Sequence, residues 1–400
     1  MPWKYKIYKI FANSYKTIEM SNKKDYSKKN KLKIRQMNTE KYADKTDLAL
    51  LSELSLNGRE SLTALSGKLG LSKQKLGYRL RGLQRRGVLA GFFAIPNIFR
   101  LGFDHFRVFV KFQHLSEALE KELVDHLVTR SEVSWLTQLD GDFDLEFVVW
   151  AQGVAAFEAA YDDILGQFGP LFQEKYFSLA TRIEFFPWRF LVPANNPSEA
   201  AMARTTAPAD DASKAATAPA DNASKAAMAG VSPAGTALKA VVLESRGKPL
   251  RIDPMDRRLL AELSRNGRLS LAALAGRCRI SPALAATRVR ALRRSGAIAG
   301  FGAKIDHALL GWTYRKVFLQ LENPAVEALA RLFSWLRAQA EVIFLVKTIG
   351  SYDLEVELMT RSPGDFFMFM RRLRTTFAAE LAGQRSVIVL RELKYGQYPA

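Results

Sequence analysis

Apolar residues recur at helical spacing in the stretch that opens at Asp44. In DKTDLALLSELSLNG, Leu48, Leu51 and Leu54 mark one helix face, and Asn57-Gly58 ends it. A second short helix is predicted over 61–69, and Gly70-Leu71 turns the chain into a third over 72–87, SKQKLGYRLRGLQRRG. Ser72 caps that third helix and Gly87 stops it. Leu76, Leu80 and Leu83 fall at i, i+4 and i+7 as a core stripe, and the opposite face carries Gln74, Tyr78, Arg81 and Arg85. Three short helices, the last two joined by a tight glycine turn, predict a helix-turn-helix. VLAGFFAI then predicts two short strands about Gly91, a small wing.

Beyond residue 103 the period falls to two. FDHFRVFVKF reads as a strand, SEALEKELVDHLVTR as a helix, and EVSWLTQLDGDFDLEFVVWA as two strands about a turn at Gly141. AFEAAYDDILGQF is helical and EKYFSLATRIEFFPW a final strand. The order βαββαβ is that of a ferredoxin-like sandwich, its sheet burying one face under two helices. Residues 193–245 are mostly Ala, Pro, Ser, Asp and Lys, with a tandem repeat, TAPADDASKAA then TAPADNASKAA, from Thr206 and Thr217. Too few large apolar side chains occur there to offset ordering entropy, so the segment reads as a linker. As a random coil it would span about 40 Å.

The pattern then starts again. Adding 209 carries Asp44 and Asp47 onto Asp253 and Asp256, and Asn57-Gly58-Arg59 onto Asn266-Gly267-Arg268. The same step carries Ser72 onto Ser281, Arg79 onto Arg288, Gly141 onto Gly350, Glu146 onto Glu355 and Arg182 onto Arg391. A register this constant indicates duplication. The expected fold class is α+β: two copies of a winged helix-turn-helix followed by a ferredoxin-like βαββαβ effector domain. The expected boundaries are a basic disordered tail at 1–43, a winged helix-turn-helix at 44–100 and an effector domain at 101–192. A linker at 193–250, a second winged helix-turn-helix at 251–309 and a second effector domain at 310–400 follow.

Charge changes the picture. The chain carries a net +19 and has a pI near 9.9, which favours a polyanionic partner, nucleic acid or an anionic membrane surface. About half of the excess lies in residues 1–43, with 12 Lys/Arg against 3 Asp/Glu. That arm either tracks DNA phosphates, is a solvated tail without a role, or lies upstream of the working protein, with Met37 a sensible start. No apolar run reaches 18 residues and no signal peptide is evident, so the expected location is the cytoplasm. The single cysteine, Cys278, excludes an internal disulfide and a Cys-rich zinc site, and reads as a buried small hydrophobe. Four histidines stand apart from any ligand spacing, and no nucleophile–base pair or phosphate loop occurs. The expectation is therefore a protein that is not an enzyme and has no cofactor, catalytic residue or metal site. Asp140, Asp142 and Asp144 have the spacing that opens a calcium loop, but no glutamate completes it, so they read as a turn.

The basic helix is thus a candidate for the major groove of double-stranded DNA. The candidate contacts are Lys73, Gln74, Lys75, Tyr78, Arg81 and Arg85 in the first copy, and Ala283, Thr287, Arg290 and Arg294 in the second. The arginines suit phosphates or guanine edges, Gln74 and Thr287 suit base selection, and Ala283 and Thr287 could instead touch thymine methyls. The two sets differ, which predicts an asymmetric operator.

Together, Asp-x-x-Asp opening each unit, Asn-Gly-Arg closing its first helix, the Ser72 and Ser281-Pro282 caps and the Gly-x-(Ile/Leu)-x-Gly wing at 87–91 and 296–300 resemble the Lrp/AsnC (feast/famine) family. Gly141-Asp-Phe-Asp144 and Gly350-Ser-Tyr-Asp353 resemble its effector-domain turn. The match covers about 300 of the 400 residues, twice over. The resemblance implies a transcription regulator that pairs through its effector domains and in many members binds an amino acid near that interface. It points to Leu139, Asp140, Gly141, Asp142 and Asp144, with Thr348, Gly350, Ser351 and Asp353, as effector contacts, the turn amides holding a ligand carboxylate. One chain holding both copies departs from the family pattern and implies an intramolecular pseudo-dimer, with further homo-oligomerisation open. Two other readings stay open. One is an architectural DNA-packaging protein with little sequence preference; the other is an enzyme, because sirohaem decarboxylases resemble paired copies of this architecture.

Overall fold

The structure, a computed structural model, describes residues 41–192, 240–396 and 398. The tail at 1–40 and most of the expected linker lie outside the described residues. Each copy opens with three helices: α1 (Lys45–Leu56), α2 (Leu62–Leu69) and α3 (Lys73–Arg85) in the first. In the second they are α6 (Pro254–Arg265), α7 (Leu271–Cys278) and α8 (Pro282–Arg294). All six start on an Asp or Ser whose side chain accepts an amide hydrogen from three residues on, satisfying a donor the helix cannot. Leu50, Leu51, Leu54, Leu65, Leu76 and Leu83 of the first trio are fully buried.

A strand follows each trio: β1 (Leu89–Pro96) and β7 (Ile298–Ile305). The first βαββαβ unit is β2 (Asp104–Phe112), α4 (Glu117–Thr129), β3 (Val133–Gly141), β4 (Leu145–Ala151), α5 (Val154–Phe168) and β5 (Phe172–Phe185). The second is β8 (Thr313–Leu321), α9 (Val326–Ala338), β9 (Val342–Gly350), β10 (Leu354–Thr360), α10 (Pro363–Thr376) and β11 (Leu381–Lys394). A short strand, β6 (Val241–Glu244), precedes the second trio and pairs with β5, so order resumes inside the stretch expected to be linker.

The wing is not the expected hairpin of two strands within one copy. β1 is one continuous strand that pairs antiparallel with β7, Phe93 opposite Gly302 and Ile95 opposite Gly300. Each strand completes the other copy's helical core. Ala303 and Ile305 pack with Leu50, Leu54 and Leu65, while Phe93 and Ile95 pack with Leu259, Leu263 and Leu274. An apolar strand with no partner inside its own copy has unpaired amides and carbonyls along an edge, and the other copy's equivalent strand supplies them.

The effector halves exchange strands too. Within each half the strand order is β5-β2-β4-β3 and β11-β8-β10-β9. The long last strands run on: β5 leaves β2 to pair with β9, and β11 leaves β8 to pair with β3. Eight strands therefore close into a ring, with α4 and α5 packed on one outer face and α9 and α10 on the other. Closure pairs the outer strands of each half-sheet with the other half, and β6 covers the second side of the far end of β5. The expectation that each sheet buries a single face is corrected: the inner faces meet around Phe109, Phe143, Phe318 and Tyr352.

Beside that aromatic cluster, five charged side chains are sealed between the sheets. Arg107, Glu146, Lys316, Glu355 and Glu357 are each at most 1% exposed. The Arg107 guanidinium lies 2.6 Å from Glu146, 2.9 Å from Glu355 and 3.2 Å from Glu357. The Lys316 ammonium meets Glu146 and lies 3.2 Å from Glu357. Arg107 and Lys316, like Glu146 and Glu355, are partners in the repeat register, so the network crosses the pseudo-twofold. Among the described residues no helix is long and apolar enough to cross a membrane.

Candidate nucleic-acid interface

In α3 the residues that turn inward are Leu76, Gly77, Gly82 and Leu83. Lys73, Gln74, Lys75, Tyr78, Arg81 and Arg85 are all exposed, Tyr78 to 64%. In α8 the inward residues are Ala285, Val289 and Leu292, and Ala283, Thr287, Arg290 and Arg294 are exposed. Each set lies on the face of its helix away from the core. Thr287 is less available than its sequence position implies. Its hydroxyl donates to the Ala283 carbonyl at 3.0 Å and accepts from Arg290 at 3.2 Å.

The remaining arginine of each helix has a different task. Arg79 binds Asp44 at 2.7 Å and Asp47 at 2.8 Å, and Arg288 binds Asp256 at 3.0 Å as well as Asp253. These pairs tie the middle of each candidate recognition helix to the N-terminus of the first helix. Hydrogen bonds from Arg288 hold the Asp253 carboxyl below the usual carboxylate range. Arg86 adds a third bond to Asp47 at 2.9 Å in the first copy only, where the second copy has Ser295. The sequence shows these residues in register, but only the folded trio shows what they do.

Asn-Gly-Arg is more than a helix stop. Arg59 donates to the carbonyls of Gly267 at 2.6 Å and Leu269 at 3.0 Å. Arg268 returns the contact to Gly58 at 2.5 Å and Glu60 at 2.7 Å. Each guanidinium also stacks near the other side's aromatic wall, Arg268 4.5 Å from the Phe92 ring and Arg59 5.6 Å from the Phe301 ring. The glycines let the backbones close: Gly58 donates to the Phe301 carbonyl and Gly267 to that of Phe92, both at 2.7 Å. A Cβ on Gly267 would sit 2.8 Å from the Phe93 carbonyl carbon. Gly267→Ala is therefore expected to cost about 1–3 kcal/mol through forced separation of α6 and β1, read as a lower urea midpoint at unchanged slope.

The effector turns are more internally bonded than the sequence suggests. The amides of Leu139, Asp144, Thr348, Ser351 and Asp353 already donate within the fold, so they are not available to a ligand carboxylate. Asp144 accepts from Lys111 and the Phe112 amide, both at 2.7 Å, and Asp353 accepts from the Leu321 amide at 2.8 Å. Leu139 and Thr348 are buried, and Gly141 and Gly350 press against Ser386 and Phe177. Asp140 is exposed on the turn. Asp142 alone of the expected effector residues lines an open cavity of about 300 Å³ with α10 and β11. Facing it are Phe366, Met370, Arg374 and Arg385. The sequence gives no hint of Arg374 or Arg385, because they come to the same cavity as Asp142 only through the pairing of β11 with β3.

Residues 44–84 match the model of an AsnC-type helix-turn-helix domain, and residues 252–299 match that of a winged helix-turn-helix DNA-binding domain. An uncharacterized HTH-type transcriptional regulator of Pyrococcus furiosus is 32% identical over 104 residues, 26% of this chain and 69% of the relative. A proline dehydrogenase transcriptional activator of Rhizobium radiobacter is 41% identical over 80 residues, 20% of this chain and 50% of the relative. The crystal structure of the siroheme decarboxylase NirDL superposes with a TM-score of 0.51 at 13% identity, covering 89% of this chain and 94% of that one. Likeness at that identity is likeness of fold. Helix-turn-helix units at both ends of the repeat register, together with these regulator relatives, show that the chain belongs to the Lrp/AsnC family of DNA-binding transcription regulators, in a tandem form.

Proposed function

We propose that one chain grips an asymmetric DNA operator with two unlike recognition helices held as a unit. The reciprocal Arg59 and Arg268 lock carries this reading, because it joins the two trios directly and does not depend on the linker. α3 supplies Lys73, Gln74, Lys75, Tyr78, Arg81 and Arg85 to one half-site, and α8 supplies Ala283, Thr287, Arg290 and Arg294 to the other. With Thr287 bonded to its own helix, Gln74 has the greater part in choosing bases. In this reading the chain binds no catalytic cofactor, so purified protein is expected to take up no tetrapyrrole colour. The test compares DNA from upstream of its own gene with a shuffled duplex at two salt concentrations. A preference of about a hundredfold that persists at the higher salt supports a specific regulator. Equal affinities that collapse together would indicate a packaging protein.

The effector in this proposal is an amino acid in the Asp142 cavity. Asp142 offers a carboxylate for the ammonium group, Arg374 and Arg385 offer cations for the carboxylate, and Phe366 and Met370 offer apolar walls. Asp142→Asn is expected to weaken binding of the best of the twenty amino acids at least about tenfold in calorimetry. An unchanged affinity would place the effector elsewhere.

A further inference from the structure

A second cavity, of about 90 Å³, lies between β1 and the inner strands of the effector ring. On this measure one water needs roughly 10–15 Å³, and an apolar cavity of about 150 Å³ takes benzene. Its walls include Ile95 from β1, Trp135 and Trp150 from the first half and Phe344 from the second. No part of this cavity adjoins Asp142 or the effector turns among its lining residues.

One wall is His105, which is 7% exposed. The Trp150 indole N–H donates to its Nδ1 at 3.1 Å, so Nδ1 carries no proton. Burial, reinforced by Arg107 and Lys316 nearby, holds the ring's pKa well below the usual histidine value, so the ring is neutral. The proton of a neutral ring whose Nδ1 accepts is on Nε2. Among the described residues Nε2 has no hydrogen-bond partner. A buried N–H donor left without an acceptor, on a ring lining an apolar cavity, is an incomplete arrangement. The charged groups of the wall, Arg107 and Glu357, are paired to each other at 3.2 Å and offer no spare charge.

We infer that this cavity is a binding site for a small uncharged molecule with a compact apolar body of about four to six heavy atoms and one carbonyl-type acceptor, received by His105 Nε2–H. The site is separate from the amino-acid cavity and does not depend on the DNA reading. Because β1 forms its roof, an occupant also touches the strand that joins the two helical trios.

The test uses the full chain labelled with ¹⁵N-histidine, titrated with cyclopentanone and, separately, with methylenecyclopentane, which has the same shape without the acceptor. The His105 ring signals are read among the four histidines. Saturable movement of the Nε2–H signal by cyclopentanone, with about tenfold weaker binding of the hydrocarbon, is the expected result. In His105→Phe the two probes are expected to bind alike. Absence of any His105 shift at the solubility limit of cyclopentanone would overturn the assignment, as would equal affinity of the wild-type chain for both probes.

Discussion

Lys316→Ala is expected to destabilise the folded chain by about 3–5 kcal/mol, the range for breaking a buried ion pair and leaving its partner charged. Lys316 is fully buried, and its ammonium serves both Glu146 and Glu357 while lying 4.0 Å from the Trp135 ring. Removing it leaves three carboxylates facing Arg107 alone. The loss is read in urea unfolding, and an effect below about 1 kcal/mol, the level of an exposed ion pair, would contradict the burial argument. The same cluster sets a pH response. Burial, with Glu146 and Glu357 close by, pushes the Glu355 carboxyl up to about 7. With Glu355 protonated, the two cations face two carboxylates, and the cluster is neutral. The folded state then binds more protons than the unfolded state between the ordinary glutamate value and about 7. From Glu355, stability therefore falls as pH rises through that window and levels off above it. Glu355→Gln is expected to flatten that fall, with its largest relative gain above pH 7.

Arg81→Ala with Arg85→Ala is expected to weaken operator binding about a hundredfold and reduce its salt dependence, if both side chains reach DNA as proposed. The two guanidiniums are exposed on the outward face of α3 and are not used by the core. Thermal stability of this double variant should be unchanged, which separates it from Arg79→Ala. Arg79 is the residue that anchors α3 to Asp44 and Asp47, so its loss should weaken both stability and binding. A double variant that binds as tightly as the parent would remove α3 from the interface.

The elements of both copies were legible because local chemistry decides them. Asp44, Ser72, Asp253 and Ser281 cap helices by their own side chains, and the leucines of α3 mark its inner face without reference to distant residues. What the sequence concealed is which copy each strand joins. VLAGFFAI is apolar at successive positions, and such a run fits a hairpin wing as well as a strand buried against another copy. Only the backbone pairing with β7 distinguishes them. The last strand of the first copy was likewise legible as a strand, but nothing in its sequence showed that the far ends of the 14-residue β5 and β11 link the halves. For the same reason the effector turn was found and its surroundings were not. Asp142 shares a cavity with Arg374 and Arg385, more than two hundred residues away along the chain. His105 carried no signal at all, since an unpaired ring nitrogen exists only in the packed structure.

The most direct test of the two-headed reading is a hydroxyl-radical footprint at one chain per duplex, repeated with Arg81→Ala/Arg85→Ala and with Arg290→Ala/Arg294→Ala. The parent chain is expected to protect two unequal segments, about one helical turn apart on one face of the DNA. Each double variant should release a different one of them. A single protected segment, or a footprint that both variants erase in the same way, would contradict the proposal that one chain presents two distinct recognition helices as a unit.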